Sequence, residues 1–236
     1  MKKLLTTVII LFTIQASGIG QSFISAVSEF QPSNDCIMEL VDGTVVEGKV
    51  GMATIMNGYL SSLTLKDADG NKHKHKAETI KQFKVKMGAL AKMDAAAEGA
   101  SSISEMLKTD FNEIIEREYI IYKQALLPKK KDKYRLMQLV NPGFDSKIQV
   151  FDDPGGKETG GLNAGGVQLT GGKDKSYLVV IDGKKSVEVE KKSYKKDFLE
   201  LYGGCKKFLE TVQPKKPNFW DMAAHVYVYD QLCGDE

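Results

Sequence analysis

The chain has 236 residues, with 33 Lys+Arg against 31 Asp+Glu and a formal net charge of +2. Lys2 and Lys3 account for that whole surplus, so the rest of the chain is formally neutral; general nucleic-acid binding, which needs surplus cations to displace phosphate counterions, is not expected. A hydrophobic share of 42% and a charged share of 27% exclude wholesale disorder, and the length suits one large domain or two small ones.

Lys2 and Lys3 precede an apolar run from Leu4 to Ile14, and small residues at Ala16, Gly18 and Gly20 follow. The run is too short for a membrane span, which takes about 20 apolar residues. A basic start, a short apolar core and small residues together predict a signal peptide over 1–20, cleaved before Gln21 or Ile19. The mature chain is then expected in an exported, oxidising space, periplasmic or extracellular, with no membrane span of its own.

Residues 22–35 read as a polar, extended lead-in. Strands are predicted from Cys36 to Val41 and from Thr44 to Val50, joined at Asp42-Gly43, because Asp-Gly between apolar runs is a strong hairpin signal. Tyr59–Lys66, a polar strand after Asp69-Gly70-Asn71, and Ile80–Val85 complete a β-rich, small barrel-like module over 21–87. An Ala- and Ser-rich helical connector is expected at 88–109, interrupted near Gly99. The stretch 110–127 permits a helix through Phe111, Ile114 and Ile115, but Tyr119-Ile120-Ile121-Tyr122 favours a strand. The reading adopted is strand, opening a second antiparallel sheet over 110–192 that contains Tyr134–Val140, Lys147–Phe151 and a hairpin across Asp182-Gly183. Gly155 to Gly172 is loop-like. From 193 to 236 the apolar spacing is helical, with Ser193 as N-cap, a kink at Gly203-Gly204, and Pro214 and Pro217 separating two helices that pack as an antiparallel pair. The fold class expected is α+β.

The hairpin LVDGTVVEGKV (Leu40–Val50), a middle sheet rich in Tyr and Lys, and the ending SYKKDFLELYGGC (Ser193–Cys205) with HVYVYDQLC (His225–Cys233) resemble a loosely defined group of exported, uncharacterised proteins of Gram-negative bacteria. The resemblance implies localisation and architecture and carries no activity. Leu40, Asp42-Gly43 and Gly48 are also similar to the first hairpin of Sm-like small barrels, without a matching RNA-contact motif downstream.

Three cysteines lie after the leader. Cys205 and Cys233, one on each predicted helix, are the natural pair for a disulfide, leaving Cys36 as a buried apolar residue. The catalytic alternative is a hydrolase with Cys205 as nucleophile, His225 as base and Asp221 or Asp230 as its orienter. No signature of a known cysteine enzyme surrounds Cys205.

Asp67, Asp69, Asn71 and Glu78 match part of a calcium-loop pattern, but Lys72 stands where the pattern needs glycine, so a hairpin turn is the reading taken. His73 and His75 share one face of a strand but sit among three lysines and have no clear third ligand. No metal or cofactor is assigned. A phosphate-loop frame ending on Gly172-Lys173 fails, with Val167 at its first position and Asp174 at its last. The run Lys129-Lys130-Lys131-Asp132-Lys133 and the eight lysines of 173–196 offer a local basic face for anionic glycan, lipid or nucleic acid. The function expected is a non-catalytic binding or structural module of the envelope, with an envelope protein or glycan as partner.

Overall fold

The computed structural model of the protein describes residues 22–24, 26–27, 32–100, 111–128, 133–155, 163–164, 167–168, 176–212 and 217–234. The leader, the lysines 129–131 and the phosphate-loop frame at Gly172-Lys173 lie outside them.

The N-terminal strands are β1 (Asp35–Leu40), β2 (Val45–Met56), β3 (Tyr59–Lys66), β4 (Lys72–Lys76) and β5 (Ile80–Lys86), with a 3-10 turn at Ala77–Thr79. They alternate as the period of two demands. Cys36 and Met38 point into the core on β1, and Phe83 and Val85 do so on β5, where Met38 pairs with Phe83 and Cys36 with Val85. β2 is long and bends. Its register against β3 shifts at Gly51 and again opposite Ser61, the mark of bulges that increase twist. Gly48 is needed where the sheet curls, since a Cβ there would lie 2.6 Å from the Lys66 carbonyl oxygen. The β2–β3 hairpin closes on Asn57-Gly58, both at positive φ (+52° and +81°), as a two-residue turn of the kind that matches strand twist.

The fold is α+β, as expected, but the sheets divide at a different place. After α1 (Ala89–Gly99), the stretch expected as a strand from 110 splits into α2 (Phe111–Glu116) and β6 (Tyr119–Leu126). The β-branched and aromatic run decides only its second half. β6 then pairs with β5, and β7 (Tyr134–Gln138) pairs with β6, so both extend the first sheet rather than opening a second. The result is a curled antiparallel sheet in the order β4-β3-β2-β1-β5-β6-β7.

The second sheet starts at β8 (Ile148–Asp152) and runs through β11 (Tyr177–Ile181) to β12 (Lys185–Val189). Between them β9 (Asn163–Ala164) and β10 (Val167–Gln168) form a two-residue ladder. The three-stranded sheet is the middle layer of the fold. Phe151, Leu178 and Val180 face Ala125, Met137 and Leu139 of the curled sheet. Ile148, Val150, Val179 and Val189 face the C-terminal helices.

Those helices are α3 (Tyr194–Tyr202), α4 (Lys206–Thr211) and α5 (Met222–Cys233), the last preceded by a 3-10 turn at Phe219–Asp221. Gly203-Gly204 breaks the first predicted helix in two rather than kinking it. Ser193 stands at the N-cap position of α3 but bonds to Asp197 Oδ2 (2.5 Å) and to the Glu190 carbonyl instead of capping a helical N–H. The lead-in is less polar in effect than in composition. Phe23 packs on Phe144 and Tyr177, Val27 is buried, and the Ile24 N–H bonds to the Val140 carbonyl.

The layers meet at Asn141, which is fully buried. Its Nδ2 donates to the carbonyls of Phe144 and Ile148, and its Oδ1 accepts from the Val150 N–H, all at 2.8 Å. Asn141→Ala leaves three backbone groups without these partners and is expected to lower the unfolding free energy by about 3 kcal/mol in urea titration. Gly48→Ala forces the β2–β3 crossing apart and is expected to cost about 1–3 kcal/mol by the same measurement.

Candidate functional site

The curled sheet does not close. β7 returns alongside β3, yet among the described residues no ladder joins them. Between them lies a groove of about 520 Å³, within the range of ligand pockets. Its walls are Tyr59, Leu60 and Ser61 of β3 and Tyr134, Arg135 and Leu136 of β7. Val41, Met56 and Asn57 line it as well, Ala77 and Glu78 come from the 3-10 turn, and Gln124 comes from β6. Leu60 and Leu136 are buried and form an apolar floor. Val41, Met56 and Tyr134 are exposed along it, Met56 at 61%.

Its polar groups are held in place. The Arg135 guanidinium lies over the Tyr59 ring, 4.0 Å from its centroid, a cation–π contact. Arg135 has no carboxylate within ion-pair distance among the described residues. The Tyr59 hydroxyl donates to Asp153 Oδ1, and burial raises its pKa with that bond adding to the effect. Asp153 Oδ1 also accepts from the Gly155 N–H at 2.9 Å. A Cβ on Gly58 would lie 2.9 Å from Pro154, and one on Gly155 would lie 2.4 Å from the Tyr59 oxygen. The segment after β8 is therefore packed tightly against the β2–β3 turn and fixes Tyr59. Gln124 Nε2 donates to the Glu78 carbonyl at 3.3 Å. The lining holds hydroxyls, amides, one carboxylate and one guanidinium, and neither an imidazole nor a thiol.

The residues singled out in the sequence lie elsewhere. Cys205 and Cys233 form a disulfide, with Cα atoms 6.2 Å apart. Cys205 Sγ also caps α4, accepting from the Phe208 N–H at 3.3 Å. Cys205 therefore presents no thiol, and the hydrolase constellation has no nucleophile. His225 is 9% exposed, with the rings of Tyr194, Phe198, Tyr202 and Phe208 around it at centroid distances of 5.4–6.4 Å. Its Nδ1 sits 2.6 Å from the Tyr194 hydroxyl, which sits 3.0 Å from that of Tyr202. Burial holds the His225 pKa below its usual value, against the opposing pull of Asp221. The Tyr194 hydroxyl thus joins the imidazole and the Tyr202 hydroxyl in one buried chain of hydrogen bonds. Asp230 does not orient the imidazole; its Oδ1 accepts from the N–H (3.0 Å) and the hydroxyl (2.5 Å) of Ser146.

The calcium-like stretch is a hairpin turn. Asp67 accepts from the Asn71 N–H and from His73, each at 2.8 Å, and these bonds, His73 first, hold its pKa down to about 2. Glu78 is exposed at the groove instead. His75 packs beneath its strand, and burial lowers its pKa, with the His73 charge adding to the effect. Among the described residues no three His, Cys, Asp or Glu side chains are placed to share a metal. Of the lysines between 173 and 196, Lys185 pairs with Glu200 (3.1 Å) and Lys192 with Glu190 (2.6 Å). No described helix is long and apolar enough to cross a membrane. The groove itself was invisible in the sequence. Its walls come from strands some 75 residues apart, and no local pattern joins them.

The folded pKa of His225 lies below the unfolded value near 6.5. As pH falls through that value the unfolded chain takes up the proton first, so stability is lost on acidification. His75 acts in the same direction. The urea midpoint is expected to fall between pH 7 and pH 5, and to fall less in His225→Phe; equal slopes in the two proteins would show that the buried imidazole does not contribute.

No protein-family model matches the chain, and no curated protein or solved structure matches it.

Proposed function

We propose that the chain is an exported, non-catalytic binding module of the bacterial envelope whose ligand occupies the groove between β3 and β7. The observation that carries this reading is the chemistry of the groove. An apolar floor, the side-chain amides of Asn57 and Gln124, and a guanidinium without a carboxylate partner among the described residues suit recognition of a ligand with an apolar body and an anionic group. The same lining offers no nucleophile and base in contact, which acyl-transfer chemistry requires. The disulfide and the leader-like start are consistent with an oxidising compartment. The third cysteine fits as well. Cys36 is buried beneath the curled sheet, and burial pushes its thiol pKa up to about 12, so it is an inert core residue.

Benzoate, an apolar ring with one carboxylate, is a minimal probe of the groove. Titrated into isotope-labelled full-length protein, it is expected to shift the amide resonances of Tyr59–Ser61 and Tyr134–Leu136 in a saturable way. Shifts confined to other residues, or turnover on a broad panel of ester, amide and glycoside substrates, would sink the reading. Export is checked by intact mass after expression in a Gram-negative host. The expected mature chain begins at Gln21 and has one thiol, which alkylates only after unfolding.

A further inference from the structure

We infer that the ligand of this groove is a short extended peptide carrying a carboxylate, which adds as a strand to the free edge of β7. The inference rests on the binding-groove reading and names its ligand class.

The phase of the β6–β7 ladder identifies the free edge. The Leu127 N–H bonds to the Lys133 carbonyl (2.8 Å), and the Leu139 N–H bonds to the Ile121 carbonyl (2.9 Å). Antiparallel pairs alternate, so the odd-numbered residues from Lys133 to Leu139 turn their main chain towards β6. Tyr134 and Leu136 therefore turn their N–H and C=O groups the other way, into the groove. Across it, Met56 and Tyr59 close the two-residue hairpin, so Leu60 turns its main chain away from β2. β4 does not reach Leu60, because its pairing with β3 starts at Ser62–Lys76. Among the described residues neither Leu60 nor Tyr134 nor Leu136 has a backbone partner on the groove side. Two strands thus present unused donors and acceptors to one apolar channel.

A main chain in extended form is the ligand that satisfies such a row, because its own N–H and C=O groups repeat along the strand. Small organic ligands lack that repeat. The curled sheet has one other edge, β4, and it is guarded. Lys72, Lys74 and Lys76 stand along it, a pattern that discourages strand addition. β7 has the single cation Arg135, beside the exposed Tyr134. The β7 edge is open over Tyr134–Leu136 and ends where β8 bridges it, with Leu139 opposite Phe151 and the Val140 N–H bonded to the Val150 carbonyl. Arg135 then supplies the selection: stacked on Tyr59 and without a carboxylate among the described residues, it fits an acidic side chain or a terminal carboxylate, which accepts two parallel N–H bonds.

Panning a random heptapeptide library on the full-length protein, followed by anisotropy titration of the enriched peptides, tests the assignment. The peptides are expected to alternate apolar residues and to contain an acid. Tyr134→Pro removes one groove-facing N–H and leaves the ladder to β6 intact, since proline is tolerated on a free edge. Arg135→Glu reverses the selecting charge. Each variant is expected to weaken peptide binding at least fivefold while its circular dichroism stays that of the parent. A smaller loss in either variant, or no enriched peptide, overturns the proposal. If benzoate still shifts the groove amides, the peptide assignment alone has failed; if neither benzoate nor any peptide binds there, the groove reading has failed with it.

Discussion

The architecture depends on the curl of β2. A twelve-residue strand that stayed flat would pair along its whole length and leave one face of the sheet exposed. Here Gly48 lets the backbone pass close to Lys66, and the bulges at Gly51 and Ser61 turn the second half of the strand across the first. That turn wraps Cys36, Met38, Leu63, Leu65 and Phe83 into one core. It also brings the start of β3 round towards β7. The curl is sufficient to bury the apolar face and insufficient to close the ladder. The groove is what remains between the two ends of a sheet that stops short of a barrel.

The rest of the chain stabilises that unfinished shape from behind. β8 and β11 are apolar on both faces, as a middle layer must be. One face supports the curled sheet and the other is covered by aromatic side chains from α3, α4 and α5. A five-residue strand cannot give both faces a full complement of long side chains, and the C-terminal helices compensate with Tyr194, Phe198, Tyr202 and Phe208, joined by Phe219 of the 3-10 turn. Their polar tips must then find partners inside the core, which explains the chain of bonds from Tyr202 through Tyr194 to His225. Burial raises the pKa of both tyrosines, so the chain stays uncharged.

Much of this was legible in the sequence because it is written in local signals. The Asp-Gly turns at 42–43, 69–70 and 182–183, the period-two strands between them and the helical stripe of the last forty residues each follow from neighbouring residues. The cysteine pairing followed from one cysteine on each predicted helix. What could not be read was pairing over distance. β5 accepts β6 although α1 and α2 lie between them in the chain, and nothing in the composition of β6 says which sheet it will join. Asn57-Gly58 is a turn signal of the same local kind, between the apolar ends of β2 and β3. The groove was beyond reach, since it depends on the phase of a ladder rather than on the identity of any residue in it.

The placement of the three sulfurs has a kinetic meaning. Exchange of a disulfide needs a thiolate that can reach one of its sulfurs. The remaining cysteine, Cys36, is in the core of the curled sheet, whereas the Cys205–Cys233 bond belongs to the helical layer on the far side of the middle sheet. Cys36 is also held protonated well above neutral pH. The native protein therefore contains a thiol and a disulfide that cannot react with each other without unfolding. The odd number of cysteines, which would otherwise permit scrambling, is made harmless by putting a sheet between the thiol and the disulfide.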